Sequence, residues 1–258
     1  MLTTILQRIK SNKAELDRLR PFSVAALTEL QKYYDVELTY TSNAIEGNRL
    51  THRETAEVIE HGITVGGKSL RDHLEAVDHY DALRWMRSLA QESTCLDKRV
   101  VCELHRRIVA RSQPEIAGRY SHHARRIAGS RVVLPNPLKV PVLMEELGAW
   151  LQKVDATPET AFEAHFRLAA IHPFSDGNGR TARLLMNLIL IRGGYPPVVV
   201  RPEDRIDYLD SLERASLTDD RSSYERFMYG RLDAVLVDCL SALKESVDVN
   251  GKCSDTRF

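Results

Sequence analysis

No charge of either sign is in excess: Lys and Arg together number 36, and Asp and Glu number 36. A chain without a basic surplus has no bulk attraction for nucleic acid or an anionic membrane surface, so neither is expected as a partner. Cysteine is scarce, and Cys95, Cys102, Cys239 and Cys253 lie at no paired or metal-ligand spacing. That argues against a disulfide scaffold and points to reduced, mostly buried thiols in a cytoplasmic protein. No apolar run is long enough to span a bilayer. The opening Met-Leu-Thr-Thr-Ile-Leu-Gln-Arg lacks the basic segment and apolar core of a secretory leader. Internal repeats and low-complexity tracts are also missing. What is left is an ordinary globular composition, with 28% charged residues and a mean hydropathy of -0.31. At 258 residues the chain can build one large core or two small domains.

Against this plain background one stretch concentrates chemistry: His172-Pro-Phe-Ser-Asp-Gly-Asn-Gly-Arg-Thr-Ala-Arg183. Gly177 and Gly179 permit a tight turn and close approach of a ligand. The apolar run Leu184 to Ile191 follows at once and reads as a buried helix. The amides of Gly177, Asn178, Gly179 and Arg180 would stand at its mouth as orphan donors, a natural phosphate site. Arg180 and Arg183 can add charge-assisted contacts from the first turn. Asp176 is placed to hold a Mg²⁺ ion bridging the same phosphates, and His172 to take a proton from an incoming hydroxyl.

This stretch resembles the signature of the Fic family, histidine-any-phenylalanine-any-acid-Gly-Asn-Gly-Arg-any-any-Arg, at every specified position. The resemblance implies an all-α fold, a helical bundle with a small β-hairpin flap, that transfers AMP from ATP to a protein hydroxyl. It makes His172 the base, Phe174 a buried anchor and Asp176 the Mg²⁺ ligand. Gly177 to Arg180 become the nest for the α- and β-phosphates, and Arg183 the partner of the γ-phosphate.

A second segment, Tyr40-Thr-Ser-Asn-Ala-Ile-Glu-Gly-Asn-Arg-Leu-Thr51, reads by itself as a helix end with a surface glutamate and Gly47 as its left-handed stop. Ser42 and Glu46, four apart, share a face. The segment is similar to the Fic inhibitory motif, Ser/Thr-any-any-any-Glu-Gly/Asn. The resemblance then pairs Glu46 with Arg183, where a carboxylate would take the place of the γ-phosphate and leave ATP misaligned.

The rest of the chain reads as helices with local signals. Pro21 breaks the N-terminal helical region and Ser23 caps the second half. Thr51 and Glu54 form a capping box, Asp97 caps a helix through Ile108, and Thr157-Pro158 opens the helix that delivers His172. His105 and His165 read as structural. Between residues 114 and 137, prolines and glycines flank Arg126-Ile127 and Arg131-Val-Val-Leu134, a spacing that predicts a hairpin. By the resemblance this flap, about 118–135, holds the target protein by strand addition, self-modification included. Gly118-Arg-Tyr-Ser121 departs from the family's Gly-any-Tyr-Arg form, with Ser121 in the arginine position. Tyr208 and Ser216 fall where relatives surround the adenine.

The expected organisation is a helical segment 1–94 carrying the inhibitory helix, a core 95–240, and a helix end with a polar tail over 241–258. Two rival readings use the same residues: a hydrolase that removes AMP, with Glu46 orienting water, and a non-catalytic ATP-binding module. Oligomeric state, a homodimer included, is left open.

Overall fold

The computed structural model describes the backbone of residues 2–218 and 220–252, with side chains described as far as Lys244. Ten helices carry the fold: α1 (Leu2–Arg18), α2 (Val24–Ile45), α3 (His52–His61), α4 (Leu70–Gln91), α5 (Lys98–Ile108), α6 (Val140–Leu151), α7 (Pro158–Ile171), α8 (Asn178–Arg192), α9 (Arg205–Thr218) and α10 (Ser222–Lys252). The helix starts follow local chemistry. Ser23 accepts from Ala26 N, Thr51 and Glu54 bond reciprocally, and Asp97 accepts from Arg99 N and Val100 N. A further capping box, Ser69 with Asp72, starts α4.

Helix α8 is the axis of the molecule. Every residue from Thr181 to Leu190 is buried, and α4, α5 and α7 pack around it. A helix apolar on all sides gains its stability from tertiary packing, not from helix propensity. Asn187 is a buried polar residue in the second half of α8. Its amide donates to Val198 O (3.1 Å) and its oxygen accepts from Val198 N (2.8 Å), tying down the buried extended segment Val198–Val200. Helix α1 packs on α10, and α2 crosses α4 and touches α8. One apolar cluster runs from Ile9 to Leu243.

The architecture is helical as expected, but the hairpin is not formed. Among the described residues the extended pairing near residue 120 is a single bridge, Tyr120 to Phe174. Residues 122–136 run as an irregular loop with a turn at Ala128-Gly129. Val133 in this loop is 92% exposed, and an isolated two-stranded ribbon is marginal in water. The loop is instead moored to α9 by Arg131, which bonds Glu213. Two smaller expectations also change. Cys95 is exposed, not buried, and α10 continues to Lys252. Residues 253–258 of the anticipated polar tail, with Cys253, lie outside the described residues.

Candidate active site

The site begins where α7 stops. His172, its C-cap, takes a left-handed backbone (φ 49°, ψ 54°), a costly conformation for a non-glycine residue that surrounding contacts must maintain. Those contacts are explicit. Ser121 N donates to Pro173 O (2.8 Å), and Phe174 N donates to Asn178 Oδ1 while Asn178 Nδ2 returns to Phe174 O, both at 2.9 Å. The Asn178 side chain therefore closes the loop, leaving its backbone amide for the nest. Phe174 is fully buried and stacks on His105 with ring centroids 3.7 Å apart.

His105 turns out to be a positioning group for this loop. Its Nδ1 accepts from Gly118 N (3.0 Å), so Nε2 carries the proton and donates to Asp176 O (3.0 Å). Burial pulls its pKa down to about 4 and keeps it neutral. No local spacing in the sequence could have announced these long-range contacts.

The nest forms as α8 opens. Gly177, at φ 73°, is its N-cap and supplies no side-chain cap. The first backbone bond of full helical span is Thr181 N to Gly177 O (2.9 Å), so the amides of residues 178–180 precede the helical ladder and are free to bind an anion. Gly179 has a separate reason to be glycine: a Cβ there would lie 2.3 Å from Glu46 Oε1. The carboxylate of Glu46 thus sits directly over the nest.

Arg180 and Arg183, near the start of α8, are buried and already engaged. Arg183 Nε donates to Ser42 Oγ (2.9 Å), and its NH2 donates to Ser42 O (2.9 Å) and Glu46 Oε1 (2.7 Å). Arg180 is 1% exposed; NH1 reaches Asn43 Oδ1 (3.4 Å) and lies 3.8 Å from Glu75, while NH2 is 3.6 Å from Asp176. Its side chain points beneath the nest toward α2 and α4. Asn43, Glu75, Arg71 and Gln113 are site residues that sequence reasoning missed. Only Asn43 lay inside a segment already singled out.

Asp176 is held from several sides. Gln113 Nε2 (2.5 Å) and Arg71 NH2 (3.0 Å) donate to Oδ2, and Gly177 N donates to Oδ1 (2.6 Å). Burial pushes its pKa up, but Gln113, Arg180, the Gly177 amide and Arg71 outweigh it and hold the carboxyl below the usual range. Among the described residues no group of three or more His, Cys, Asp or Glu could hold a metal alone. One ionised carboxylate beside an anion nest nevertheless suits Mg²⁺, which takes its other ligands from phosphates and water.

His172, Gly179, Arg183 and Glu46 open on one cavity of about 290 Å³, walled by the 127–134 loop and α9. Burial lowers the pKa of His172, while a hydrogen bond to Ala169 O and the charge of Glu46 act the other way. The net result is a neutral imidazole near pH 7. Tyr208 from α9 contributes its ring to this cavity. Its hydroxyl turns inward, to His165 Nε2 at 2.7 Å.

The Fic/DOC family model matches residues 95–190. The solved structure of Fic-1 from C. elegans aligns over 93% of this chain and 71% of its own, with a TM-score of 0.81 and 32% identity. The chain belongs to the Fic/DOC family. A Fic domain-containing signaling protein from Bacteroides thetaiotaomicron is similar over 92% of this chain and 97% of its own (TM-score 0.85, 29% identity). Among curated relatives, protein adenylyltransferase Fic of Nematostella vectensis is 41% identical over 70% of this chain, and protein adenylyltransferase fic-1 of Caenorhabditis elegans 35% over 81%. The chain spans 43% and 42% of the length of those two relatives.

Proposed function

We propose that this Fic protein transfers AMP from ATP to a Ser, Thr or Tyr hydroxyl of a protein, and that Glu46 restrains it through Arg183. The observation that carries the reading is the shared cavity. A neutral histidine and the open amides of α8 face it together, and Glu46 closes it with a 2.7 Å bond to Arg183. The relatives named protein adenylyltransferase support the choice of AMP donor. With 35% of its side-chain surface accessible, Glu46 lies at the edge of the cavity, where it can be displaced.

In the reaction, His172 removes the proton of the target hydroxyl, and the oxygen forms a bond to the α-phosphorus. The bond from that phosphorus to the bridging oxygen breaks, and pyrophosphate leaves. The amides of Asn178 to Arg180 hold the phosphates through backbone donors, and Arg183, once free of Glu46, meets the γ-phosphate. A Mg²⁺ ion on Asp176 would neutralise phosphate charge when bound. Holding the reactants in line contributes much of the acceleration. The target segment lies along the loop at 118–135, and the chain's own hydroxyls are candidates.

The test is label transfer to protein by the Glu46→Gly variant, comparing ATP labelled at the α-phosphate with ATP labelled at the γ-phosphate. Label from the α position only, abolished by His172→Ala, is the expected result. Transfer of the γ label would overturn the reading in favour of a kinase. Tight ATP binding with no transfer from either would favour a binding module.

A further inference from the structure

Behind the cavity, a line of buried polar groups runs from Arg183 away from the solvent. Arg183 and Tyr208 share the cavity wall, and the guanidinium interacts electrostatically with the Tyr208 hydroxyl. The same hydroxyl lies 2.7 Å from His165 Nε2; His165 Nδ1 lies 2.8 Å from the hydroxyl of Tyr224, and that hydroxyl donates to Phe162 O at 2.9 Å. His165 is fully buried, and Tyr208 and Tyr224 are each 2% exposed. Nothing in the transfer reaction uses these three side chains directly, yet burying three polar groups is costly unless every one of them is satisfied.

Proton counting fixes their order. A guanidinium has donors and no acceptor, so the Tyr208 proton cannot point at Arg183. It goes to His165 Nε2, which must be bare. The imidazole then carries its proton on Nδ1 and donates to Tyr224 O. The one proton of Tyr224 goes on to Phe162 O, where the structure has it. The bond to Phe162 O fixes this order, and the neighbouring Arg183 charge agrees with it. Burial also draws the pKa of His165 down to about 3, which keeps the ring neutral and the line intact.

We infer that His165 and Tyr224 are positioning residues that fix the Tyr208 hydroxyl as an acceptor, so that Arg183 keeps its aim when a γ-phosphate replaces Glu46. The inference rests on the proposed role of Arg183 toward that phosphate. It gives Tyr208 a task beyond lining the adenine side of the cavity. While the brake is on, Arg183 has three acceptors from α2 and its C-cap: Ser42 Oγ, Ser42 O and Glu46 Oε1. If α2 shifts on release those can be lost, whereas Tyr208 sits on α9 and is backed by α7 and α10. The guanidinium is thereby held from the side that does not belong to the brake.

Two measurements decide it, both on the full chain in a Glu46→Gly/His172→Ala background that cannot turn over. Histidine side-chain nitrogen NMR reads the tautomer without any nucleotide. An Nδ1–H, Nε2-bare signal for His165 is expected, and an Nε2–H signal overturns the inference. Calorimetry then compares ATP with ADP. Tyr208→Phe should reduce the preference for ATP over ADP, read as the ratio of the two affinities, by roughly three- to tenfold. Tyr224→Phe, which keeps the aromatic packing, should give a smaller loss together with a mixed His165 tautomer. An unchanged ATP-to-ADP ratio in a folded Tyr208→Phe protein would reduce the line to a structural feature and overturn the inference. Equal affinities for ATP and ADP before Tyr208 is altered would instead refute the γ-phosphate role of Arg183, and with it the use proposed for the line.

Discussion

At Gly179 a methyl group would stand 2.3 Å from Glu46 Oε1 and 3.0 Å from Arg183 NH1. Gly179→Ala should therefore push the carboxylate off its arginine. Removing Glu46 first removes the sharper of the two collisions, so the two changes should not add. A double-mutant cycle of Gly179→Ala with Glu46→Gly is expected to show coupling on the order of 1 kcal/mol in unfolding free energy. Strict additivity would mean that Glu46 does not rest over the nest in solution. His172 allows a second residue-level test. Burial lowers its pKa and the charge of Glu46 partly restores it, so removing Glu46 leaves burial less opposed. The acid limb of the transfer rate in Glu46→Gly should therefore have its midpoint below the ordinary histidine value of about 6.5. A midpoint above that value would exclude His172 as a base in the buried environment described here.

At the scale of elements, α8 builds the nest and α2 covers it. Helix α8 is fixed by apolar packing. Leu185, fully buried at its centre, should cost about 2–5 kcal/mol of stability when changed to Ala, measured by urea unfolding. The cover packs Tyr34, Leu38 and Ile45 into the same apolar cluster, and polar contacts also tie down its C-terminal end. Arg205 Nε donates to Ile45 O (2.8 Å), and Asn48 Nδ2 donates to Glu75 Oε2 (3.0 Å). An orphan carbonyl in the last turn of a helix needs such a partner. Arg205→Ala should loosen the last turn of α2 and raise label transfer severalfold above the unsubstituted chain, while leaving it below Glu46→Gly. A rate indistinguishable from the parent would show that Arg205 does not hold the brake.

Across the whole molecule, buried neutral histidines tie stability to pH. The pKa values of His79 and His165 are both drawn down to about 3, foremost by burial, with Arg183 acting on both and Arg180 on His79. Unfolding returns each to about 6.5, so between these values the unfolded chain binds more protons than the native one. Their contribution is fully present above pH 6.5 and is lost as pH falls toward 3. Urea unfolding at pH 5 should give a free energy lower than at pH 7 by on the order of 1–2 kcal/mol per histidine, with an unchanged denaturant slope. Equal stability at the two pH values would contradict their neutral burial.

The same scale explains what the sequence disclosed. Helix starts at Ser23, Thr51, Asp97 and Thr157 were legible because a cap is chemistry within three residues. The signature from His172 to Arg183 was legible for the same reason. The loop at 122–136 was misjudged because strand formation depends on a partner layer, and residue spacing carries no information about one. Arg71, Gln113 and Asn43 around Asp176 and Arg180, and the line from Tyr208 through His165, were hidden because their contacts join α2, α4, α7, α8, α9, α10 and the loop after α5 across the fold.

The central claim is that a competent transfer site is held shut by one carboxylate on Arg183. Its most direct test compares initial rates of protein labelling from α-labelled ATP in the unsubstituted chain, Glu46→Gly and Glu46→Gln. Release by Glu46→Gly, with Glu46→Gln intermediate because it keeps the shape and loses the charge, is the expected outcome. Equal rates in all three proteins would leave the ion pair without a regulatory role and contradict the account.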